Sequence, residues 1–155
     1  MENGVMSYVS GTGTVPLIGE TIGQHFDRAV NRWGDRPALI ARQQGVAWSW
    51  RDLGERVDAF AAGLVALGLK PGDRIGIWSP NNTEWTITQF ASAKAGLILV
   101  NINPAYRLAE LDYALNKVGC NALVTATSFK TSSRRSIILC WASWAFSVPT
   151  MPPGI

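Results

Sequence analysis

Hydrophobic positions recur at helical spacing in four stretches of the chain and as short apolar runs between them. Ile22, Phe26 and Val30 stand four apart and Gly34 follows as a stop, which predicts a first helix within 19–34. Leu53, Val57, Phe60, Leu64 and Leu67 predict a second helix ending at Gly68, and Ser49 three residues before Asp52 supplies its capping box. Asn81, three residues before Glu84, is the expected cap of a third helix running to about Ala95, with Trp85, Thr88 or Ile87, and Ala91 facing inward. Leu111, Ala114, Leu115 and Val118 mark a fourth helix over 108–118, closed by Gly119.

Between these helices lie β-prone runs at 37–41, 46–50, 74–78, 97–101 and 121–125. Gln43, Gln44 and Gly45 read as a hairpin turn, and Lys70, Pro71, Gly72 and Asp73 as a turn before a strand. The nearly pure apolar run at 97–101 predicts a strand covered on both faces. Strand, helix, strand, helix, strand at this pitch implies right-handed crossovers and a mainly parallel sheet with flanking helices, so the predicted class is α/β.

The ends of the chain break this pattern. Residues 1–18 are small, polar and rich in Gly, Ser and Thr, as expected of a mobile terminus. The SGTGT stretch at 10–14 has no buried strand before it, which argues against a phosphate loop. Residues 132–155 form an apolar tail with two of the seven tryptophans and no sustained periodicity. It reads either as an apolar segment packed on the domain or as aberrant sequence, such as a frameshifted read-through. The abrupt loss of caps and turns favours the second.

Composition narrows the function classes. The 155 residues are 47% hydrophobic and 16% charged, enough for one globular domain. Of the net +3 charge, the residues through Thr131 carry 12 Lys/Arg against 11 Asp/Glu, and Arg134 and Arg135 supply the rest. A basic surface is therefore not expected, and nucleic-acid binding finds no support. Cys120 and Cys140 lack partners at metal-ligand spacing, so no metal site is expected. Cys120 reads as a small buried hydrophobe, and His25 as a packed or half-exposed helix residue. The first 27 residues contain no Lys or Arg, against a secretory signal, which left cytoplasmic residence as the expectation. The 12-residue apolar run at 137–148 is too short for a transmembrane segment.

Eight segments in order carry a resemblance: FDRAV at 26–30, DRPAL at 35–39, SWRDL at 49–53, AGLVALGL at 62–69, PGDRI at 71–75, NNTEW at 81–85, QFASAKA at 89–95 and VNINPAYR at 100–107. Over residues 19–131 the chain resembles the adenylate-forming (AMP-forming) acyl-CoA synthetases, most closely their fatty-acid branch including the medium-chain ligases. The resemblance implies a partial N-terminal subdomain of that ligase fold. It also implies, for the full-length family, conversion of ATP, a fatty acid or other carboxylate and coenzyme A to acyl-CoA, AMP and pyrophosphate, with Mg²⁺ on the phosphates.

The family's phosphate loop, adenine segment, ribose-binding Asp and catalytic Lys have no counterparts in this sequence. No catalytic or cofactor-binding residue is therefore assigned, and no cofactor is expected for the fragment. Asn103, Pro104, Tyr106 and Arg107, just past the carboxyl end of an apolar strand, are the candidates for a substrate wall. Trp48, Trp50 and Trp78 are expected in the core or on a sheet face.

Two further readings stand beside an inactive ligase fragment. One is a non-catalytic module that associates with a full-length ligase, another partner or itself through an open sheet edge. The other, weaker, is a membrane-surface protein held by its Arg/Trp tail. A cut sheet also predicts that the apolar faces of 49–67 and 97–101 lack partners, giving low solubility or a molten state.

Overall fold

The computed structural model describes residues 11, 13–15, 17–126 and the backbone of 136–140. The remaining N-terminal positions and most of the tail lie outside the described residues. The element order is α1 (Ile22–Trp33), β1 (Pro37–Ala41), a 3-10 turn (Arg42–Gln44), β2 (Val46–Ser49), α2 (Trp50–Ala66), β3 (Arg74–Trp78), α3 (Thr83–Lys94), β4 (Ile98–Asn101), α4 (Leu108–Val118), β5 (Ala122–Ala126) and β6 (Ser136–Cys140). Strands β1 and β2 form an antiparallel hairpin, and the larger sheet has the order β4-β3-β5-β6. Strand β3 is parallel to both β4 and β5, whereas β6 is antiparallel to β5.

Handedness arranges the layers. From β3 the chain steps through α3 to β4, then reverses through α4 past β3 to β5. Two right-handed crossovers running in opposite directions must place their helices on opposite sheet faces. Accordingly Ile75 and Ile77 of β3 and Ala122 and Val124 of β5 pack with Phe26, Leu53, Val57, Leu64 and Ala91 of α1–α3. Leu123, on the other face of β5, packs with Ile102, Leu111, Leu115 and Cys120. The alternation of strand residues thus feeds two cores, one per face.

Gly76 makes the second core possible. A β-carbon there would lie 3.0 Å from Ile102 Cδ1, 3.1 Å from Leu123 Cδ1 and 3.2 Å from Leu115 Cδ2. Glycine spares these three side chains, including Leu115 of α4, the shift of a few tenths of an ångström that a β-carbon would force.

The three helices on the first face are joined by Lys94. Its ammonium donates to Asp27 Oδ1 of α1 at 2.5 Å and to Asp58 of α2, while its stem lies against Gly23. Burial pulls the lysine pKa down, but hydrogen bonds to Asp27 and Asp58, with their charges, outweigh it and raise the value overall.

Several expectations are corrected in detail. Helix α1 buries Gly23, Phe26 and Ala29 with Val30 packed beside them, whereas Ile22 is 62% exposed; the position next to it, Gly23, is the one that lies close against Lys94. The cap of α3 is Asn82, whose side chain accepts from the Trp85 amide, rather than Asn81. Among the described residues β4 pairs with β3 only, and the covering expected on both faces holds for the middle of the strand alone. Leu99 and Val100 are half-buried in the two cores, while Ile98 and Asn101 are exposed. The apolar face of α2 does find partners: Leu53, Val57 and Leu64 are buried. Within the tail, Ser136–Cys140 adds an antiparallel strand to β5 where the sequence pattern suggested no element, and that edge is paired.

Candidate functional site

The carboxyl ends of β3 and β4 send their chains to opposite faces of the sheet, to α3 and to α4. Adjacent loops that diverge in this way open a crevice, the usual ligand position in open α/β sheets. Here its two lips are the 79–82 and 102–107 segments.

The second lip begins at Ile102, buried, whose amide donates to Ile77 O at 3.0 Å and so moors the loop to β3. Asn103 Oδ1 accepts from the Ala105 amide at 2.9 Å, and the Tyr106 amide donates to Asn103 O at 3.0 Å. Pro104 fits the second position of this turn, where φ is preset by its ring. The Arg107 amide donates to Glu110 Oε2 at 2.7 Å, and its carbonyl accepts from the Leu111 amide, so Arg107 opens α4. Asn103, Pro104, Tyr106 and Arg107 therefore share one exposed, internally braced turn; Tyr106 is 39% exposed.

The first lip is more enclosed. Ser79 is buried; its hydroxyl donates to Pro80 O and accepts from Asn82 Nδ2, both at 3.0 Å. Gln44, from the turn of the hairpin, reaches across: its Oε1 accepts from the Thr83 amide at 2.8 Å and its Nε2 donates to Glu84 Oε2 at 2.9 Å. Sequence reasoning missed this clamp, since nothing in a 39-residue separation signals it. The Asn82 side chain was discoverable, because either asparagine of the pair could cap.

At this rim the amides of Thr83 and Trp85 are already taken by Gln44 and Asn82. Among the described residues no three His, Cys, Asp or Glu side chains gather as a metal site. The donor set therefore does not fit a Mg²⁺-triphosphate group at this rim. Trp48, Trp50 and Trp78 are half-buried against the two cores. Cys120 is buried, and burial raises its thiol pKa against a smaller lowering by Arg74, as for an inert packed thiol. His25 stands on the exposed side of α1, beside Arg28 and Glu20.

Residues 26–144 match the family model described as "AMP-binding enzyme". The chain belongs to this AMP-binding family. Among curated relatives, the mitochondrial medium-chain acyl-CoA ligase ACSF2 of Danio rerio is 48% identical over 125 residues, covering 81% of this chain and 21% of its own length. The chain thus spans about a fifth of the length of the curated relatives it matches.

Among solved structures, the N-terminal subdomain of Klebsiella oxytoca NpsA, in complex with anthranilyl-AMSN, superposes with TM-score 0.62 at 29% identity. That match covers 66% of this chain and 26% of the other. The N-terminal domain of FACL13 from Mycobacterium tuberculosis gives TM-score 0.68 at 22% identity, over 70% and 28% of the two chains, and attests the fold alone. This AMP-binding chain therefore has the α/β architecture of N-terminal subdomains of adenylate-forming enzymes.

The relatives correct one expectation. Ligases from Danio rerio, Bos taurus and Homo sapiens carry a mitochondrial designation, which overturns the cytoplasmic residence drawn from the N-terminal composition. Lacking the basic segment of a secretory signal does not distinguish cytosol from an organelle. No helix among the described residues is long and apolar enough to cross a membrane.

Proposed function

We propose that this chain carries the front part of a fatty-acid-CoA ligase acting on medium-chain carboxylates, and that the 155 residues do not turn over alone. The observation that carries this reading is the similarity, over most of the chain, to medium-chain acyl-CoA ligases several times longer. In that reaction ATP and the carboxylate give an acyl-adenylate and pyrophosphate, and the coenzyme A thiol then displaces AMP. It demands donors preorganised around the phosphates and a lysine at the reacting centre. The crevice lips supply neither: their α3 amides are engaged, and the 103–107 turn presents Tyr106 and Arg107 to solvent.

In this reading Asn103, Pro104, Tyr106 and Arg107 form part of the wall along which the carboxylate substrate lies. The turn is held by its own hydrogen bonds, which leaves the Tyr106 and Arg107 side chains available. The test is AMP formation from ATP, octanoate and coenzyme A by the purified chain. No turnover above a protein-free control is expected, and clear turnover overturns the proposal.

A second reading rests on β4, which pairs on one side only among the described residues and ends in exposed Ile98 and Asn101. Such an edge suits a non-catalytic module that adds to a full-length ligase or to a second copy. Co-purification with a full-length ligase supports it; a monodisperse monomer that retains no ligase sinks it.

A further inference from the structure

Away from the crevice, where α1 hands over to α2, the surface holds a concavity of about 410 Å³ lined by Val30, Asn31, Arg32, Trp33, Gly34, Asp35, Arg36 and Arg51. Its rim is fixed by backbone bonds. The Arg36 amide donates to Trp33 O at 2.8 Å, the Arg51 amide to Gly34 O at 2.9 Å, and the Trp50 amide to Arg36 O at 3.0 Å. Arg51 is engaged as well: its Nη2 donates to Asp35 Oδ1 at 3.0 Å and stands 3.1 Å from where a β-carbon on Gly34 would sit. Arg32 stacks 5.1 Å from the centroid of the half-buried Trp33 ring.

Three arginines, Arg32, Arg36 and Arg51, thus line this concavity with one acidic residue, Asp35. Among the described residues neither Arg32 nor Arg36 meets an acidic partner. We propose that this concavity is a binding site for a small phosphate-bearing dianion, with Arg36 and Arg32 as its principal ligands and Arg51 as a fixed third donor.

The chemistry favours phosphate over other anions. A tetrahedral phosphate offers oxygens in several directions, so it can accept charge-assisted bonds from guanidinium groups on different walls. Its double charge matches the two arginines that lack a counter-ion. A planar carboxylate pairs well with one arginine, and here Asp35 already fills that role for Arg51. Gly34 contributes through its missing side chain, since any larger residue would displace the Arg51 guanidinium.

The test is a titration of the ¹⁵N-labelled full chain with inorganic phosphate at constant ionic strength and a mildly alkaline pH, where its dianion predominates, following the amides of Gly34, Arg36 and Arg51. Saturable shifts confined to this rim are expected. The double variant R32Q/R36Q should weaken them at least roughly tenfold, as loss of two charge-assisted contacts requires. Both arginines are exposed and outside the core, so an unchanged melting temperature checks that the variant still folds. R42Q removes the same charge from an exposed position elsewhere and should leave affinity unchanged; an equal loss there would mean unspecific attraction and overturn the site. A malonate arm separates dicarboxylates from phosphates, and a stronger response to malonate would overturn the ligand class. Absence of saturation with inorganic phosphate would overturn the proposal outright.

Discussion

The Lys94 ammonium of α3 donates to Asp27 Oδ1 of α1 at 2.5 Å, and the lysine side chain keeps only 18% of its exposure. This pair, completed by Asp58, ties three helices through one cation. Removing it by K94M leaves two carboxylates near one another without their donor. Both remain about half exposed, so a loss of about 1–2 kcal/mol is expected rather than the cost of a fully buried pair. Urea unfolding of the two proteins measures it.

The same lysine gives a pH signature. Its pKa is raised in the folded protein, so its contribution is complete below the unfolded-state value and is lost as pH rises through the folded one. The stability difference between the wild type and K94M should hold through neutral pH and shrink in the alkaline range above about 10.4. A difference that disappears already near neutrality contradicts the assignment.

Asp52 behaves in the opposite sense. Hydrogen bonds from the Ser49 hydroxyl and the Ser49 amide hold its carboxyl below the usual carboxylate range. Its contribution is present above the unfolded-state pKa and fades as pH falls through the lowered folded value. D52N should therefore melt below the wild type at pH 7, with the two curves converging in acid.

Glycines at two positions predict opposite signs. At Gly76 an added methyl meets three side-chain carbons at 3.0–3.2 Å, and G76A should cost about 1–3 kcal/mol by overpacking the second core. At Gly63, within α2, nothing lies within 4 Å, and G63A should stabilise by about 0.5–1 kcal/mol through helix propensity. Thermal or denaturant melts of both variants decide the matter, and two effects of the same sign would contradict the packing described.

The hairpin clamp is separately testable. Q44A removes the acceptor of the Thr83 amide and one donor to Glu84, at an expected cost of about 1–3 kcal/mol for the stranded amide. Hydrogen exchange should accelerate over residues 37–49 and at Thr83 while β3 and β5 stay protected. Uniform acceleration throughout would show that the clamp is not local.

Features set by neighbours in sequence were legible in the chain, and those set by distant contacts were not. The Ser49–Asp52 box, the inward face of α2 at Leu53, Val57 and Leu64, and the turn at Pro71–Gly72 follow from spacing that the chain itself displays. For α1 the four-residue spacing held at Phe26 and Val30, which meet the first core, and failed at Ile22, which is exposed while Gly23 beside it is buried against Lys94. That β4 ends the sheet among the described residues depends on strand order, which an apolar run does not encode. At the crevice, the place of 103–107 just past the carboxyl end of β4 was visible from the preceding apolar strand, but the hydrogen bonds that brace it as a turn were not. The closing of the opposite lip by Gln44 and the concavity between Arg32, Arg36 and Arg51 arise from segments brought together only by folding.

The proposal that this chain carries the front of a medium-chain acyl-CoA ligase and does not turn over alone is tested most directly by exchange. Residues 19–131 would replace the matching front segment of the Danio rerio relative, and AMP formation from ATP, octanoate and coenzyme A would be measured beside the isolated 155-residue chain. The expected result is turnover by a folded chimera and none by the isolated chain. A folded chimera without activity, or turnover by the isolated chain, would contradict the claim.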